Sequence, residues 1–170
     1  ISGMSYHGGL IGSLLAVTWY IRKSKLEFWD LVDLYFTVVP LGYTFGRLGN
    51  FMNGELFGRV TAAPIGMYFP QAPDTALRHP SQLYEAFFEG VFLFVILWRL
   101  RKITNPRGAM LAFYVIGYGT VRFFIEFFRQ PDAHIGFIFL SFSMGQILCA
   151  LMIAGGIILD LYLRQTQQRV

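Results

Sequence analysis

The stretch LVDLYFTVVPLGYTFGRLGNFMNGELFGR, residues 31–59, sets the reading of the whole chain. It opens as an apolar run, LVDLYFTVVPLGY, and then places Arg47, Asn50, Asn53 and Glu55 among Gly46, Gly49, Gly54 and Gly58. Glycine at that density is a poor helix former and leaves backbone N–H groups open. Non-helical backbone at membrane depth is tolerated where protein or a wet cavity covers it. The spacing therefore predicts a Gly-rich, non-helical stretch at the end of an apolar span. A flexible turn between spans is the plain alternative.

Composition supports a membrane setting. Of 170 residues, 55% are apolar, 18% aromatic and 14% charged, against about 25% charged in a soluble domain. Mean hydropathy is +0.49. The net charge of +4 is accordingly read as an orientation signal and not as a nucleic-acid footprint. The single cysteine, Cys149, lies in an apolar run and is read as a small buried hydrophobe. No Cys/His cluster suggests a metal. The chain starts at Ile1 without a signal-peptide pattern, so a fragment or processed chain lacking its amino terminus is expected.

Five spans are expected: Met4–Ile21, roughly Phe28–Phe51 interrupted by Pro40, Pro80–Leu100, Ala109–Phe128 and about Ile135–Leu163. Each approaches the ~20 residues that cross ~30 Å of hydrocarbon as helix. The fold class predicted is an all-α, polytopic transmembrane bundle, forming one domain over 1–170, with residues 53–79 as an outward-facing polar loop. Nine of the fourteen basic residues, including all three lysines, fall in RKSK (22–25), RLRKITNPR (99–107) and the tail. Five spans put those clusters on one side, the cytoplasm. Arg47, Arg59, Arg78, Arg122 and Arg129 fall outside them and need another explanation.

Depth supplies one. At ~1.5 Å per residue, His7, Glu85 and Arg122 each lie ~21 Å above the inner edge, Gln146 ~27 Å and Arg47 ~30 Å. Charges are costly at such depth and normally face a bundle interior or wet cavity. Tyr118, Arg122, Glu126 and Arg129 form one helical stripe, with Glu126 in reach of both arginines. Gln82, Glu85 and Glu89 share another face. A bundle merely glued by salt bridges is one reading. An excess of arginine on the outer side favours the other, an anionic guest held by guanidinium groups, which bind phosphate in a bidentate manner. The Gly-rich stretch would wrap its head group, with Arg47 on phosphate and Asn50 and Asn53 on hydroxyls.

Five blocks carry a family likeness: GMSYHGGLIG (3–12), GRLGNFMNGELFGR (46–59), RHPSQLYEAFFEG (78–90), RFFIEFFRQPD (122–132) and SMGQIL (143–148). In this order they resemble the prolipoprotein diacylglyceryl transferase family. The resemblance implies transfer of the diacylglyceryl group of phosphatidylglycerol to the lipobox cysteine thiol of a preprolipoprotein. Glycerol 1-phosphate leaves, and no metal or soluble cofactor is used. It also implies a site facing the periplasm from the bacterial inner membrane, and further amino-terminal spans. Functional weight falls on His7, Arg47, Asn50, Glu55, Gly58, Tyr118, Arg122 and Glu126. The partners implied are the lipid, the signal peptide with its lipobox, and the bilayer; nucleic acid is not among them.

Within that frame Arg47 and Arg122 are the expected neutralisers of the leaving phosphate, and His7 the expected base for the thiol. Asn50, Asn53, Glu55, Gly58, Glu85, Tyr118, Glu126, Arg129 and Gln146 are expected to line the substrate. Glu55 could instead pair with Arg47, Glu126 could hold Arg122 in place, and Tyr118 could reach phosphate or only pack. The rival class is a transporter of anions or anionic lipid, which broken helices and buried arginines also fit.

Overall fold

The computed structural model describes residues 6–24, 27–103, 106–129, 137–139 and 142–167. Six helices are present among them: α1 (Tyr6–Ser24), α2 (Phe28–Met52), α3 (Ser81–Tyr84), α4 (Leu93–Leu100), α5 (Ala109–Ile125) and α6 (Met144–Gln167). A π-helical stretch, Glu85–Phe92, joins α3 to α4, so that residues 81–100 form one helical rod. Two short antiparallel strands, β1 (Phe137–Phe139) and β2 (Phe142–Ser143), precede α6.

Three expectations need correction. The Gly-rich stretch is helical as far as Met52: Gly46 and Gly49 lie inside α2, and only the part from Asn53 onward leaves the helix. A helical glycine costs about 1 kcal/mol against alanine. An unpaired backbone group in an apolar setting costs several, so the helix continues. Pro40 does not interrupt α2 either; it is fully buried within it. The fifth span does not begin near Ile135, because Phe137–Phe139 and Phe142–Ser143 form the strand pair and α6 opens at Met144. A short Phe-rich run fits strand and buried helix equally, and periodicity does not separate them.

The helix packing is set by small residues. A Cβ added at Gly119 would lie 3.1 Å from the Cys149 carbonyl oxygen, and one at Gly156 would lie 3.1 Å from that of Ala112. These two glycines let α5 and α6 approach closely, as small residues do between membrane helices. Gly90 performs the same service between the π-helical stretch and Thr44 of α2. Thr44 is buried, and its hydroxyl donates to Pro40 O at 3.0 Å and Ala86 O at 3.3 Å. At the other end, the Asp33 carboxylate accepts from Gly108 N at 2.8 Å and Met110 N at 2.9 Å. That caps the first turn of α5, where a negative group is favoured.

The distribution of polarity is inverted relative to a water-soluble domain. Gln82, Glu85 and Glu89 are fully buried. Leu34, Phe45, Phe87, Phe92, Phe124, Leu151 and Ile158 point outward. Among the described residues α6 is the helix long and apolar enough to cross a membrane by itself.

Residues 53–80 fold over the same end of the bundle as the C-terminus of α5. Isolated bridges pair Gly58 with Arg129, and Arg78 with both Val60 and Met67. Leu56 has φ +58°, a left-handed conformation that costs an L-residue about 1–2 kcal/mol.

Candidate functional site

The site is built where α2, the π-helical stretch and α5 meet. From α2, Arg47 Nε lies 2.8 Å from Glu85 Oε2. From α5, Arg122 Nη1 lies 3.5 Å from the same oxygen and 3.7 Å from Glu89 Oε1. Arg122 Nη2 lies 3.1 Å from Glu126 Oε2, one helical turn on. Tyr43, one turn before Arg47, donates its hydroxyl to Glu85 Oε2 at 3.2 Å. Its ring also lies beneath the Arg47 guanidinium at 4.7 Å. Two guanidinium groups from separate helices thus converge on one carboxylate oxygen.

The wide turn of the π-helical stretch contributes directly. Single-turn π segments inside helices often mark functional positions, and here Glu85 begins the stretch and shares its buried face with Glu89. A buried carboxylate without a cation would be prohibitive, and a buried ion pair requires good geometry to offset desolvation. Glu85 Oε2 meets that requirement with two guanidinium groups and a phenol, while its Oε1 is buried without a hydrogen bond.

A second layer fixes Arg47 from the loop side. With its amide oriented to satisfy both neighbours, Asn50 accepts from Arg47 Nη1 at 3.3 Å and donates to Glu55 Oε1 at 3.2 Å. Asn53 donates to the same Glu55 oxygen at 3.2 Å. Gln82 Nε2 donates to Glu55 O at 2.6 Å, tying the loop to the rod. Glu55 therefore reaches Arg47 through Asn50.

Gly58 has a steric explanation. A Cβ there would lie 2.5 Å from Phe128 O and 2.8 Å from His79 O, while Gly58 N donates to His79 O at 2.8 Å. Arg59 follows, donating from Nε to Arg129 O at 2.8 Å and from Nη2 to Glu126 O at 3.4 Å. These are carbonyls at the end of α5, where a cation is favoured. Arg129 joins the arrangement through its backbone. Tyr118 stacks on Tyr114 at 5.8 Å and meets Tyr43 edge-on at 5.9 Å. Gln146 is buried in the first turn of α6; beside it, a Cβ added at Gly145 would lie 2.9 Å from Glu126 Oε1. His7 belongs to α1, and its side chain lies outside the described residues.

One premise of the sequence reading fails. The outer arginines are not in uncompensated excess. Arg47 and Arg122 face Glu85, Glu89 and Glu126. Arg78 pairs with Asp74 at 2.8 Å, and Arg59 is engaged by carbonyl oxygens. Counting charges by membrane side treats each helix separately, whereas the rod's carboxylates insert between the other two helices. Tyr43 was missed among the candidates. Its position four residues before Arg47, on the same helical face, was the available signal.

Together, an apolar exterior and a buried network of carboxylate, guanidinium and phenol groups define a helical protein that holds a polar cluster inside an apolar shell. Comparison with known proteins is specific. The family model for prolipoprotein diacylglyceryl transferase matches residues 1–162, and the chain belongs to that family. A phosphatidylglycerol–prolipoprotein diacylglyceryl transferase of Chlorobaculum tepidum is 66% identical over 157 residues, covering 92% of this chain and 54% of the relative. The Campylobacter lari protein of that name is 48% identical over 170 residues, covering 100% and 61%. That of Treponema denticola is 46% identical over 209, covering 96% and 62%. The chain thus spans between about half and two thirds of the length of these relatives.

Proposed function

We propose that the protein transfers the diacylglyceryl group of phosphatidylglycerol to the lipobox cysteine thiol of a preprolipoprotein. Family membership supports the reaction class. The observation that carries the site assignment is the meeting of Arg47 and Arg122 on Glu85 Oε2. A carboxylate oxygen bridged by two guanidinium groups stands where a phosphate oxygen would be held. In this reading Glu85 keeps the two cations together before substrate arrives, and phosphate takes over that bridge. Arg122 Nη1 is buried and makes no hydrogen bond, its neighbouring carboxylate oxygens lying at 3.5 and 3.7 Å, so it has a donor to offer the phosphate.

In the step itself, the substrate sulfur attacks the glycerol carbon that bears the phosphate ester. The C–S bond forms, the C–O bond breaks, and glycerol 1-phosphate departs with the electron pair. Arg47 and Arg122 neutralise the charge that grows on that oxygen. A free thiol has pKa near 8.5 and is mostly protonated at neutral pH, so a base must take its proton; His7 is assigned that role. Glu126 holds Arg122, Glu55 holds Asn50, and Tyr118 with Gln146 borders the phosphate site. Cys149 takes no part.

The membrane arrangement belongs to the same proposal. α1, α2, the rod from Ser81 to Leu100, α5 and α6 make five spans of the bacterial inner membrane, lysine-bearing ends inward and the site toward the periplasm.

The test is thioether formation on a lipobox peptide with phosphatidylglycerol in proteoliposomes. Wild type should turn over and His7→Gln should not. Full turnover of His7→Gln at neutral pH removes the base assignment. Movement of labelled phosphatidylglycerol across the bilayer without covalent transfer would replace the transferase by a transporter.

A further inference from the structure

Leu56 combines two features that oppose each other. It is the non-glycine residue with positive φ among those described, at +58°, and its side chain is 46% exposed. Left-handed backbone favours glycine, because a Cβ crowds the neighbouring carbonyl. Where positive φ alone is needed this chain uses glycine, at Gly54 (+71°); at Gly108 (+88°) a Cβ would also lie 2.5 Å from Trp29 Cε3. It does so at Gly54 even though an added Cβ would come no nearer than 3.6 Å to Pro70 Cδ. At position 56 a branched apolar side chain is kept against the backbone preference, with little burial in return.

The backbone around Leu56 is fixed independently of that side chain. Glu55 N donates to Asn50 O at 3.1 Å, and Ser81 Oγ donates to Leu56 O at 3.1 Å. Gln82 and His79 hold Glu55 O and Gly58 N on either side. The conformation is therefore imposed by the loop that links Glu55 through Asn50 to Arg47. Strain of this kind, over-determined by its surroundings, collects at functional positions. What the loop does not explain is the choice of leucine.

We propose that Leu56 is a substrate-contacting residue whose side chain packs against the acyl end of the phospholipid held by Arg47 and Arg122. The proposal rests on the transferase reading above. In a glycerophospholipid the ester-linked chains begin a few bonds from the phosphate. An apolar group one residue beyond Glu55 is placed for the chains while the polar residues of the loop serve the head group. Leu56 takes no part in bond making.

The test compares two ligands on the intact protein in detergent micelles: dioctanoyl phosphatidylglycerol, and glycerophosphoglycerol, which is the same head group without chains. Leu56→Gly should raise the thermal midpoint or leave it unchanged. It should weaken lipid binding roughly tenfold, as loss of part of a leucine contact would, with head-group binding unchanged. Leu56→Met should keep wild-type affinity for both. Equal weakening of both ligands would mean that Leu56 acts through the arginine clamp and would overturn the proposal. So would no change in either, or a rise confined to the KM of the lipobox peptide. Should Leu56→Gly fail to fold, Leu56→Ala is held to the same criteria. If wild type binds neither ligand, the transferase reading fails, which the ligand comparison separates from failure of the contact alone.

Discussion

Arg47 Nε and Glu85 Oε2 meet at 2.8 Å across two separate helical elements, the carboxylate fully buried and the guanidinium nearly so. This pair joins the Gly-rich end of α2 to the π-helical stretch, and Arg122 shares its oxygen. Removing the carboxylate alone would leave Arg47 without its buried ion-pair partner and Arg122 with Glu89 and Glu126 only. Glu85→Gln is therefore expected to destabilise the fold by about 3–5 kcal/mol, the usual range when one partner of a buried pair is lost. Thermal unfolding in detergent should record it as a large fall in midpoint. An unchanged midpoint would show that the cluster does not hold these helices together.

Arg122 uses separate nitrogens toward Glu126 and toward the Glu85–Glu89 side. Lysine retains one charge but cannot present two fixed donors. Arg122→Lys should lower kcat by about 10²–10³-fold, comparable to loss of one preorganised transition-state donor. The thermal midpoint should move much less. Near-wild-type thiol lipidation in proteoliposomes would remove Arg122 from phosphate binding.

At Gly58 the backbone of the loop is pressed against two carbonyl oxygens, leaving no space for a methyl group. Neither carbonyl is the end of a flexible side chain, so relief requires backbone movement. Gly58→Ala should cost about 1–3 kcal/mol as overpacking and should detach the loop from the end of α5. Hydrogen exchange at Arg59 N, which donates to Phe128 O at 3.0 Å, would report it; unchanged protection would contradict the steric account.

In the loop between α2 and α3, Asp74 gives a pH-dependent contact. The Ala76 backbone N–H at 3.2 Å and the Arg78 guanidinium at 2.8 Å hold its carboxyl below the usual aspartate range. The bonds favour the ionised form, so their contribution is present above the unfolded-state pKa and is lost as pH falls through the lowered folded value. Solvent exposure of Asp74 keeps the effect small. Limited proteolysis between residues 70 and 78 should accelerate below the aspartate range in wild type. In Asp74→Asn the cleavage rate should already be raised at neutral pH and should lack that acid step.

Much of this organisation was legible in the sequence, because apolar runs of membrane length have few alternatives. α2 ends within one residue of the expected span, and the rod over residues 81–100 coincides with the run opened by Pro80. The buried face of Gln82, Glu85 and Glu89 followed from spacing alone and is fully buried. The helical state of Gly46 and Gly49 did not follow, because propensity is a weak prior against the cost of unpaired backbone groups. The charge balance was misread for a different reason: Arg47 and Glu85 are 38 positions apart, and linear spacing does not say which helices interleave. Tyr43 and Arg59 were overlooked as partners because each acts through a group, a ring face or a set of carbonyls, that no motif encodes.

The broad turn from Glu85 to Phe92 has one more consequence. It holds more residues per revolution than the α-helix on either side. That stretch already absorbs its extra residue, so one more amino acid inserted there would turn everything beyond it by roughly 100°. Leu93 and Leu97, now interior, would swing toward the surroundings. Added length within this octet is thus constrained as tightly as chemistry, and insertions should be tolerated far less readily there than in the segment between Asn53 and Arg78.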